Sequence, residues 1–244
     1  MTPSKLIHDG RLHRKNNEYE NLKGVIFYAD VDDKDIERHN LELFVEHNIP
    51  CFPDPKVLLG MQDRHEVLEQ CVNWGFAKDD REFITSDQFF FNGFPIVNFP
   101  VVIKTGNSHR GIDKYLVSNL GEIPEWEGIA TVEPYYEGES CRLLVIGEEV
   151  FGARYNNSES WIKNSVGCEV EEIPDSEIPG YMKQSALELT ERFGLEIAGI
   201  DYIVKDGNWE FIEINQYPGL DMYDRQVESA KRFLRVKMDK IEGK

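Results

Sequence analysis

The amino-terminal part of the chain shows short apolar runs separated by segments of helical spacing. Residues 23–29 are mostly apolar, which is typical of a buried strand. Apolar side chains then recur at helical spacing, at Ile36, Leu41, Phe44 and Val45. They predict a helix that ends near Pro50. Cys51 and Phe52 predict a second short strand, and residues from about 62 to 74 a second helix. This strand–helix–strand–helix order predicts a small parallel α/β unit.

From about residue 99 the pattern changes to a succession of short apolar strands. Strands are predicted at 99–104, 115–117, 129–134, 142–146, 150–155, 197–204 and 209–214. Two tight turns, at 147–149 and 206–208, predict hairpins within this series. Amphipathic helices are predicted at 176–193 and 224–238. The expected fold class is therefore α+β, with mostly antiparallel sheet after the small parallel unit.

The charge balance of the 244-residue chain limits what it can bind. Asp and Glu total 45 against 27 Lys and Arg, a formal net charge of −18. A large duplex-DNA footprint needs many Lys and Arg contacts to phosphates, so nucleic acid is not an expected partner. The acidity also argues against docking on an anionic membrane surface, and no apolar run approaches the roughly 18 residues of a membrane span. ATP stays compatible, because one nucleotide needs only a small local group of cations.

The cysteine pattern and the first residues indicate a reducing compartment. The cysteines, Cys51, Cys71, Cys141 and Cys168, form no CxxC pair and match neither a disulfide framework nor a zinc site. Residues 1–21 carry several cations but lack the apolar core of a signal peptide. We therefore expect a cytoplasmic protein with buried free thiols. The oligomeric state stays open.

The most informative segment is the predicted hairpin that ends the strand series. Its two strands bring Asp201 close to Glu213, and Asn215 shares a face with Glu213 because the two residues are two positions apart. That face carries two carboxylates and an amide oxygen, which are hard ligands suited to Mg²⁺. Ile212 and Ile214 are expected to face the opposite way, into a core. An ordinary amphipathic hairpin with a polar outer face is the alternative.

Two further segments carry candidate nucleotide-binding groups. The strand ending at Lys104 runs into a loop with Gly at both ends, and the backbone N–H groups of such a loop can surround phosphates. A plain hairpin loop explains the same residues. Near Glu133 a strand breaks at Pro134 and exposes backbone groups at Tyr135 that can pair with the edge of an adenine. Further cations and an amide follow at Arg142, Arg154, Lys163 and Asn164.

Taken in this order, the segments resemble the ATP-grasp superfamily, most closely its RimK-type carboxylate–amine ligases. The resemblance covers roughly residues 30–220. The tripeptide at 218–220, Pro-Gly-Leu, follows the metal asparagine as in the family, and Asp63-Arg64 stands where the family usually has Asp-Lys. The loop at 106–111, with Ser108 and His109, is more similar to the synapsin version of this fold.

The resemblance implies a domain organisation. The expected ATP-grasp fold has two α+β subdomains that grip ATP, preceded by a reduced parallel α/β domain. A polar arm at 1–21 precedes this reduced domain at 22–62. The ATP-grasp domain then spans 63–244, with a small lid subdomain at about 78–132 and a large metal-binding subdomain at about 133–244.

The resemblance also implies roles for individual residues. The expected ATP ligands are Lys104, Ser108, His109, Glu133, Tyr135, Lys163 and Asn164. The expected metal ligands are Asp201, Glu213 and Asn215, for two Mg²⁺ ions, with Mn²⁺ as the alternative. The expected catalytic residues are Arg142 and Arg154, which would hold an acyl phosphate.

Three positions depart from the family pattern. Ser140 stands where an aspartate is expected to meet the ribose, and Ile162 replaces an arginine, with Lys163 as its substitute. Arg154 lies about two positions from the usual cationic site. A two-residue offset keeps the same strand face, so we expect Arg154 to point into the same pocket as Arg142.

The function implied by the resemblance is ATP-dependent ligation. A substrate carboxylate attacks the γ-phosphate to give an acyl phosphate, and an amine then displaces phosphate to form an amide or peptide bond. The expected partners are a carboxylic acid and an amine, each a small molecule or a peptide. The alternatives are a nucleotide-binding regulatory protein with a synapsin-like ATP-grasp fold, and a phosphotransferase or other ATP-grasp chemistry. Dependence of ADP release on both an acid and an amine distinguishes the first from the others.

Overall fold

A computed structural model describes residues 7–8, 11–12, 24–26, 34–92, 98–105, 113–156, 160–162, 168–220 and 223–243. The strands are β1 (Ile7–His8), β2 (Arg11–Leu12), β3 (Val25–Ile26), β4 (Cys51–Phe52), β5 (Glu82–Thr85), β6 (Val101–Thr105), β7 (Lys114–Val117), β8 (Ile129–Pro134), β9 (Glu139–Ile146), β10 (Glu149–Asn156), β11 (Glu169–Ile173), β12 (Ile197–Lys205) and β13 (Asn208–Asn215). The α-helices are α1 (Lys34–Glu46), α2 (Pro55–Gly60), α3 (Arg64–Asn73), α4 (Ser86–Asn92), α5 (Gly180–Arg192) and α6 (Asp224–Glu242). In these ranges no helix is long and apolar enough to cross a membrane.

A five-stranded antiparallel sheet, in the order β11-β10-β9-β12-β13, forms the larger part of the fold. Successive side chains of a strand point to opposite faces of its sheet. The central strands β9 and β12 carry apolar side chains on both faces, so both faces are buried. On one face Leu143 and Ile200 join a core that includes Ala186 and Leu189 of α5. On the other face Leu144 packs in a cluster with Ala230 of α6.

A smaller four-stranded antiparallel sheet, in the order β5-β8-β6-β7, has its own core. Val101, Ile103 and Val132 alternate inward from its central strands, and Phe89 of α4 covers them. Phe89 belongs to the core beneath this sheet, because α4 follows β5 directly and lays that ring on the sheet.

The amino-terminal elements pack against the larger sheet's core. Strands β3 and β4 pair in parallel, as the sequence pattern predicts. Leu41 and Phe44 of α1 and Leu68 of α3 join the cluster that contains β9 and β12. Helix α2 is an unpredicted element, which begins where the Asp54 carboxylate accepts a hydrogen bond from the Lys56 amide at 2.9 Å.

Strand β8 is continuous through Pro134 within the smaller sheet. The boundary predicted near residue 133 therefore falls inside this strand. The chain passes from the smaller to the larger sheet directly after β8, because β9 begins at Glu139.

Candidate nucleotide and metal site

A row of three charged side chains crosses adjacent strands of the larger sheet. Arg142 on β9 lies directly opposite Asp201 on β12, which lies directly opposite Glu213 on β13. Residues directly opposite each other share one face of a sheet. The Arg142 guanidinium donates from Nε to Asp201 Oδ1 at 2.6 Å and from Nη2 to Oδ2 at 2.8 Å. We call Arg142, Asp201 and Glu213 the polar row.

The backbone around the polar row makes room for these side chains. Leu144 and Ile146 of β9 lie in the cluster with α6. Arg142, two residues before Leu144, projects from the same face of the strand. Gly199 lies beside that arginine, and a Cβ there would lie 3.2 Å from the Arg142 Cδ and 2.7 Å from the Pro218 Cβ. A larger residue at 199 would therefore press against Pro218 and against the Arg142 side chain.

Asn215 extends the polar row by one position. It pairs with Gly199, which places it on the face of Asp201 and Glu213, and its Nδ2 donates to Asp201 Oδ2 at 3.3 Å. The structure thus brings together the three side chains predicted as metal ligands. Among the described residues, no group of three or more His, Cys, Asp or Glu side chains is placed to hold a metal ion, and this set has two carboxylates and an amide.

A β-bulge corrects one expectation about this hairpin. Ile214 is buried in the core, as predicted, but Ile212 lines the cleft between the sheets beside Glu133. The register shifts between Asp201 and Tyr202, so that Ile212 has no direct partner and Phe211 takes the next core position. The simple alternation that we used to place Ile212 fails at this bulge.

Several cations surround Glu213. Arg64 Nη2 lies 3.8 Å and Lys114 Nζ 3.9 Å from its carboxylate oxygens, and all three side chains are at most 13% exposed. Burial opposes ionisation of Glu213, but Lys114, Arg64, Lys104 and Arg142 outweigh it and hold the pKa of this carboxyl well below its usual range. The sequence pattern predicts no role for Lys114 or Arg64 in the site. The alternation of apolar and polar residues along β7 does not predict that the Lys114 side chain faces inward.

A second charged cluster lies inside the smaller sheet. Lys104 Nζ is 2.5 Å from Glu133 Oε1, and Arg81 Nε donates to Glu133 Oε2 at 2.9 Å. We call Arg81, Lys104 and Glu133 the buried ion cluster. Burial disfavours the charged Glu133, yet the two cations lower the pKa of this carboxyl below its usual value. The sequence predicts Lys104 and Glu133 as ATP ligands, whereas it predicts no role for Arg81.

Arg81 also connects the two sheets. Its Nη2 donates to the Phe211 carbonyl at 2.5 Å, and Phe211 lies on β13 two residues before Glu213. The buried Arg81 guanidinium therefore joins β8, through Glu133, to β13, the strand that carries Glu213. No motif surrounds Arg81 in the sequence, so only its three-dimensional neighbours reveal it.

A cleft between the sheets adjoins the buried ion cluster. It is lined by Val102, Lys114, Glu133, Pro134, Tyr135, Tyr136, Gly138, Ser140, Trp161, Ile162, Ile203 and Ile212. The Tyr135 N–H donates to the Pro100 carbonyl at 3.0 Å, so this amide is engaged within the fold. Ser108, His109, Lys163 and Asn164 lie outside the described residues.

Arg154 does not join Arg142, and the prediction that they share a pocket is wrong. Arg142 lies opposite Ala153, whereas Arg154 lies opposite Cys141, so the two guanidinium groups project from opposite faces of the sheet. Arg154 instead pairs with carboxylates of Glu139, at 3.0 Å, and Glu171, at 3.6 Å. Arg154 lies two positions from the family's cationic site, so it shares the strand face of that site. Arg142 projects from the opposite face.

Residues 82–236 match the model of the RimK-like ATP-grasp domain, which is more than half of the chain. A probable alpha-L-glutamate ligase from Pasteurella multocida is 25% identical over 198 residues, 76% of this chain and 62% of that protein. The coenzyme gamma-F420-2:alpha-L-glutamate ligase of Methanococcus maripaludis is 28% identical over 135 residues, 50% of this chain and 46% of that protein. The chain thus spans less than two thirds of the length of these curated relatives.

Solved structures agree on the fold. D-alanine–D-alanine ligase from Bacillus anthracis, complexed with ATP, superposes with a TM-score of 0.63 at 16% identity, covering 82% of this chain and 75% of that chain. The ATP-grasp ligase PsnB, complexed with a minimal precursor, gives a TM-score of 0.63 at 15% identity over 84% and 69% of the two chains. The α+β ATP-grasp fold expected from the sequence is confirmed, and the chain belongs to the RimK-like ATP-grasp family.

Proposed function

We propose that the protein is an ATP-dependent ligase that joins a carboxylic acid to an amine through an acyl-phosphate intermediate, releasing ADP and phosphate. The polar row with Asn215 is the observation that carries this proposal. It places two carboxylates, an amide and a guanidinium on one sheet face, close to Lys114 of the facing sheet. The names of the curated relatives, which are glutamate ligases, support the same chemistry.

The donor set fits Mg²⁺. Asp201, Glu213 and Asn215 offer hard oxygen ligands from one face, and the low pKa of Glu213 keeps that carboxylate ionised at neutral pH. These residues would hold two Mg²⁺ ions, with Mn²⁺ as a substitute that the same oxygens accept. A metal ion held by these residues would supply positive charge against the phosphate oxygens. The Asn215 side chain would turn to present its Oδ1, a rotation that exchanges amide atoms of similar size.

The chain's own cations would position the nucleotide. Lys104 and Lys114 are cross-strand partners on β6 and β7, and both lie near Glu213. We place the phosphates of ATP between these lysines and the polar row, and the adenine in the cleft beside residues 135–137. The apolar side chains Val102, Ile203 and Ile212 form walls suited to an aromatic base.

Arg142 would stabilise the transferred phosphoryl group. Its planar guanidinium matches phosphate oxygens, and its two hydrogen bonds to Asp201 hold it in one orientation before substrate binds. Such fixed positive charge is most effective where water is excluded. Positioning and electrostatics would thus supply most of the rate, with the amine attacking the acyl carbon once it is activated.

The proposal includes a reducing cytoplasmic location. Cys51, Cys71, Cys141 and Cys168 are all free thiols, and Cys71 and Cys141 are buried. Burial raises the pKa of the Cys71 thiol to about 12, so this thiol stays protonated and unreactive at neutral pH.

The test is a screen for ADP release with Mg²⁺, ATP and pairs drawn from the common amino acids and short peptides, followed by mass spectrometry of the product. The proposal predicts ADP formation that requires both an acid and an amine, and a product whose mass equals their sum less one water. ATP binding without any turnover would contradict it and favour a nucleotide-binding regulatory protein. ADP formation with an acceptor other than a carboxylate would favour a phosphotransferase.

A further inference from the structure

Tyr155 on β10 is a large buried side chain that lies outside the apolar cores. Only 8% of its surface is exposed, yet among the described residues neither apolar cluster packed on the larger sheet includes it. A buried aromatic ring commonly packs against other apolar side chains, because such contacts remove apolar surface from water. Tyr155 is therefore buried by neighbours of another kind.

Strand register places Tyr155 on the face of the larger sheet that carries the polar row. Tyr155 lies directly opposite Ser140 on β9, and Ser140 is two residues before Arg142 on the same strand. Residues directly opposite each other, and residues two apart along a strand, share one face of a sheet. Tyr155 thus shares a face with Arg142, whereas the adjacent Arg154 projects from the other face.

The Tyr155 ring contacts the Arg142 guanidinium. Arg142 Cζ lies 5.5 Å from the ring centroid, within the roughly 6 Å over which an aromatic ring attracts a cation. Asp201 accepts from Nε and Nη2 of the same guanidinium, so a carboxylate and a ring both hold this group. Burial raises the pKa of the Tyr155 phenol to about 12, although the Arg142 charge opposes this effect, so the phenol is neutral at neutral pH. A neutral ring attracts the guanidinium without cancelling its charge.

Tyr155 also borders a cavity of about 590 Å³ at the edge of the sheet. The described wall of this cavity consists of Gly138, Glu139, Arg154, Tyr155, Asn156, Glu169, Val170 and Glu171. Its three glutamates are exposed, so the cavity admits water and carries negative charge. Arg142 is absent from this described wall. Tyr155 thus contacts the guanidinium with its ring and also forms part of the wall of a wet, acidic cavity.

We propose that Tyr155 is a positioning residue, which holds the Arg142 guanidinium against Asp201 and shields it from the water of this cavity. Fixed positive charge that is kept from water stabilises a phosphoryl group more strongly than mobile, hydrated charge. Removal of the ring would leave Asp201 to orient the guanidinium and would open a path from the cavity to it. The inference rests on the proposed ligase function, because that function assigns the phosphoryl group to Arg142.

The first test observes Arg142 itself, without substrate or turnover. In protein labelled with ¹⁵N-arginine, NMR reports how fast the Arg142 Nε hydrogen exchanges with water, and loss of the signal in Arg142→Lys assigns it. We expect Tyr155→Leu to speed this exchange at least about tenfold, because water gains access to the guanidinium. Tyr155→Phe keeps the ring, so its exchange should stay within about twofold of the wild type.

Phe151→Leu is the matched control. Phe151 lies on β10 four residues before Tyr155, on the same face, and Arg225 Cζ is 5.2 Å from its ring centroid. This variant loses a ring and a cation contact from the same strand but leaves the Arg142 contact in place. Its thermal midpoint should fall at least as far as that of Tyr155→Leu, whereas its Arg142 exchange should match the wild type. Equally fast exchange in both variants would indicate general loosening of the sheet and overturn the proposal.

The second test uses the acid and the amine found in the ADP-release screen. Tyr155→Leu should lower kcat at least about tenfold and leave the KM for ATP within about twofold, because Tyr155 does not line the described nucleotide cleft. It should also form less amide per ADP, since water admitted from the cavity would hydrolyse the acyl phosphate. Unchanged kcat and amide yield in Tyr155→Leu, or equal losses in Tyr155→Phe, would overturn the proposal.

Two outcomes separate the role of Tyr155 from the proposed function. Arg142 exchange that depends on the ring, without ADP release for any acid and amine, would support the hold of Tyr155 on Arg142 and reject the ligase. ADP release that requires both substrates, with unchanged Arg142 exchange and unchanged kcat in Tyr155→Leu, would support the ligase and reject the role of Tyr155.

Discussion

The polar row and the buried ion cluster are built in opposite ways, although both serve the same proposed site. The polar row consists of direct cross-strand partners, so strand register alone sets the distances between its members. The buried ion cluster joins side chains from β6 and β8 to Arg81, and its geometry depends on mutual neutralisation of buried charges. Substitutions in the row should therefore act chiefly on the chemistry, whereas substitutions in the cluster should act chiefly on the stability of the fold.

The largest expected effect is on turnover in Glu213→Gln. Loss of this carboxylate leaves the proposed metals without one of their ligands, so we expect kcat to fall about 10³-fold. Glu210→Gln, three positions away on the same strand and paired with Lys78, is the matched control and should keep kcat within twofold. ADP release measures both. Wild-type turnover by Glu213→Gln would remove this residue from the site.

The two arginines of the β9–β10 hairpin allow a sharper comparison. Arg142→Lys loses the planar, two-point contact with Asp201, and we expect kcat to fall about 10²-fold. Arg154→Lys should leave kcat within twofold, because that guanidinium is on the opposite face and pairs with exposed carboxylates. Its stability should change by about 0–1 kcal/mol. Equal losses of turnover in both variants would contradict the assignment of faces.

The buried ion cluster should respond in stability. Glu133→Gln leaves Lys104 and Arg81 buried without their carboxylate, and we expect the free energy of unfolding to fall by about 3–5 kcal/mol in urea denaturation. Adding Lys104→Met to Glu133→Gln should restore part of this loss, because one uncompensated cation is removed. A double variant whose loss equals the sum of the single losses would show that the two groups do not interact.

The smallest expected effect concerns pH. His65 on α3 lies 3.1 Å from the Ile129 carbonyl through Nε2 and 3.0 Å from Thr131 Oγ1 through Nδ1. Burial lowers the pKa of this ring below 6.5, so the unfolded state binds the proton more readily. Stability contributed by the neutral ring should therefore be present above pH 6.5 and decrease as the pH falls below it. His65→Gln should flatten this part of the curve of unfolding free energy against pH, and an unchanged slope would contradict the assignment.

The sequence predicted the features that depend on local pattern. The turn at Asp206-Gly207 located the last hairpin to within one residue, and the hairpin then placed Asp201 opposite Glu213. Alternation failed at Ile212, because a bulge changes which face a residue occupies and no turn residue marks it. It also misplaced Arg154, since the offset was counted from a family position rather than from Arg142 itself.

Long-range contacts could not be predicted from the sequence. Arg81 is 52 residues from Glu133 and 130 residues from Phe211, yet it bonds to both. Arg64 and Lys114 converge on Glu213 from α3 and β7 for the same reason. Such residues are recognised only once the two sheets and α3 are packed together, because local patterns carry no information on which distant strand a charged side chain will meet.

The most direct test of the central claim follows the oxygen atoms of the acid substrate. The acid identified in the ADP-release screen would be labelled with ¹⁸O in both carboxylate oxygens, and the inorganic phosphate would be analysed by mass spectrometry. An acyl-phosphate intermediate predicts that each turnover transfers one ¹⁸O to phosphate, and that Glu213→Gln gives labelled phosphate only in proportion to its residual turnover. Unlabelled phosphate released together with product would contradict the proposed mechanism.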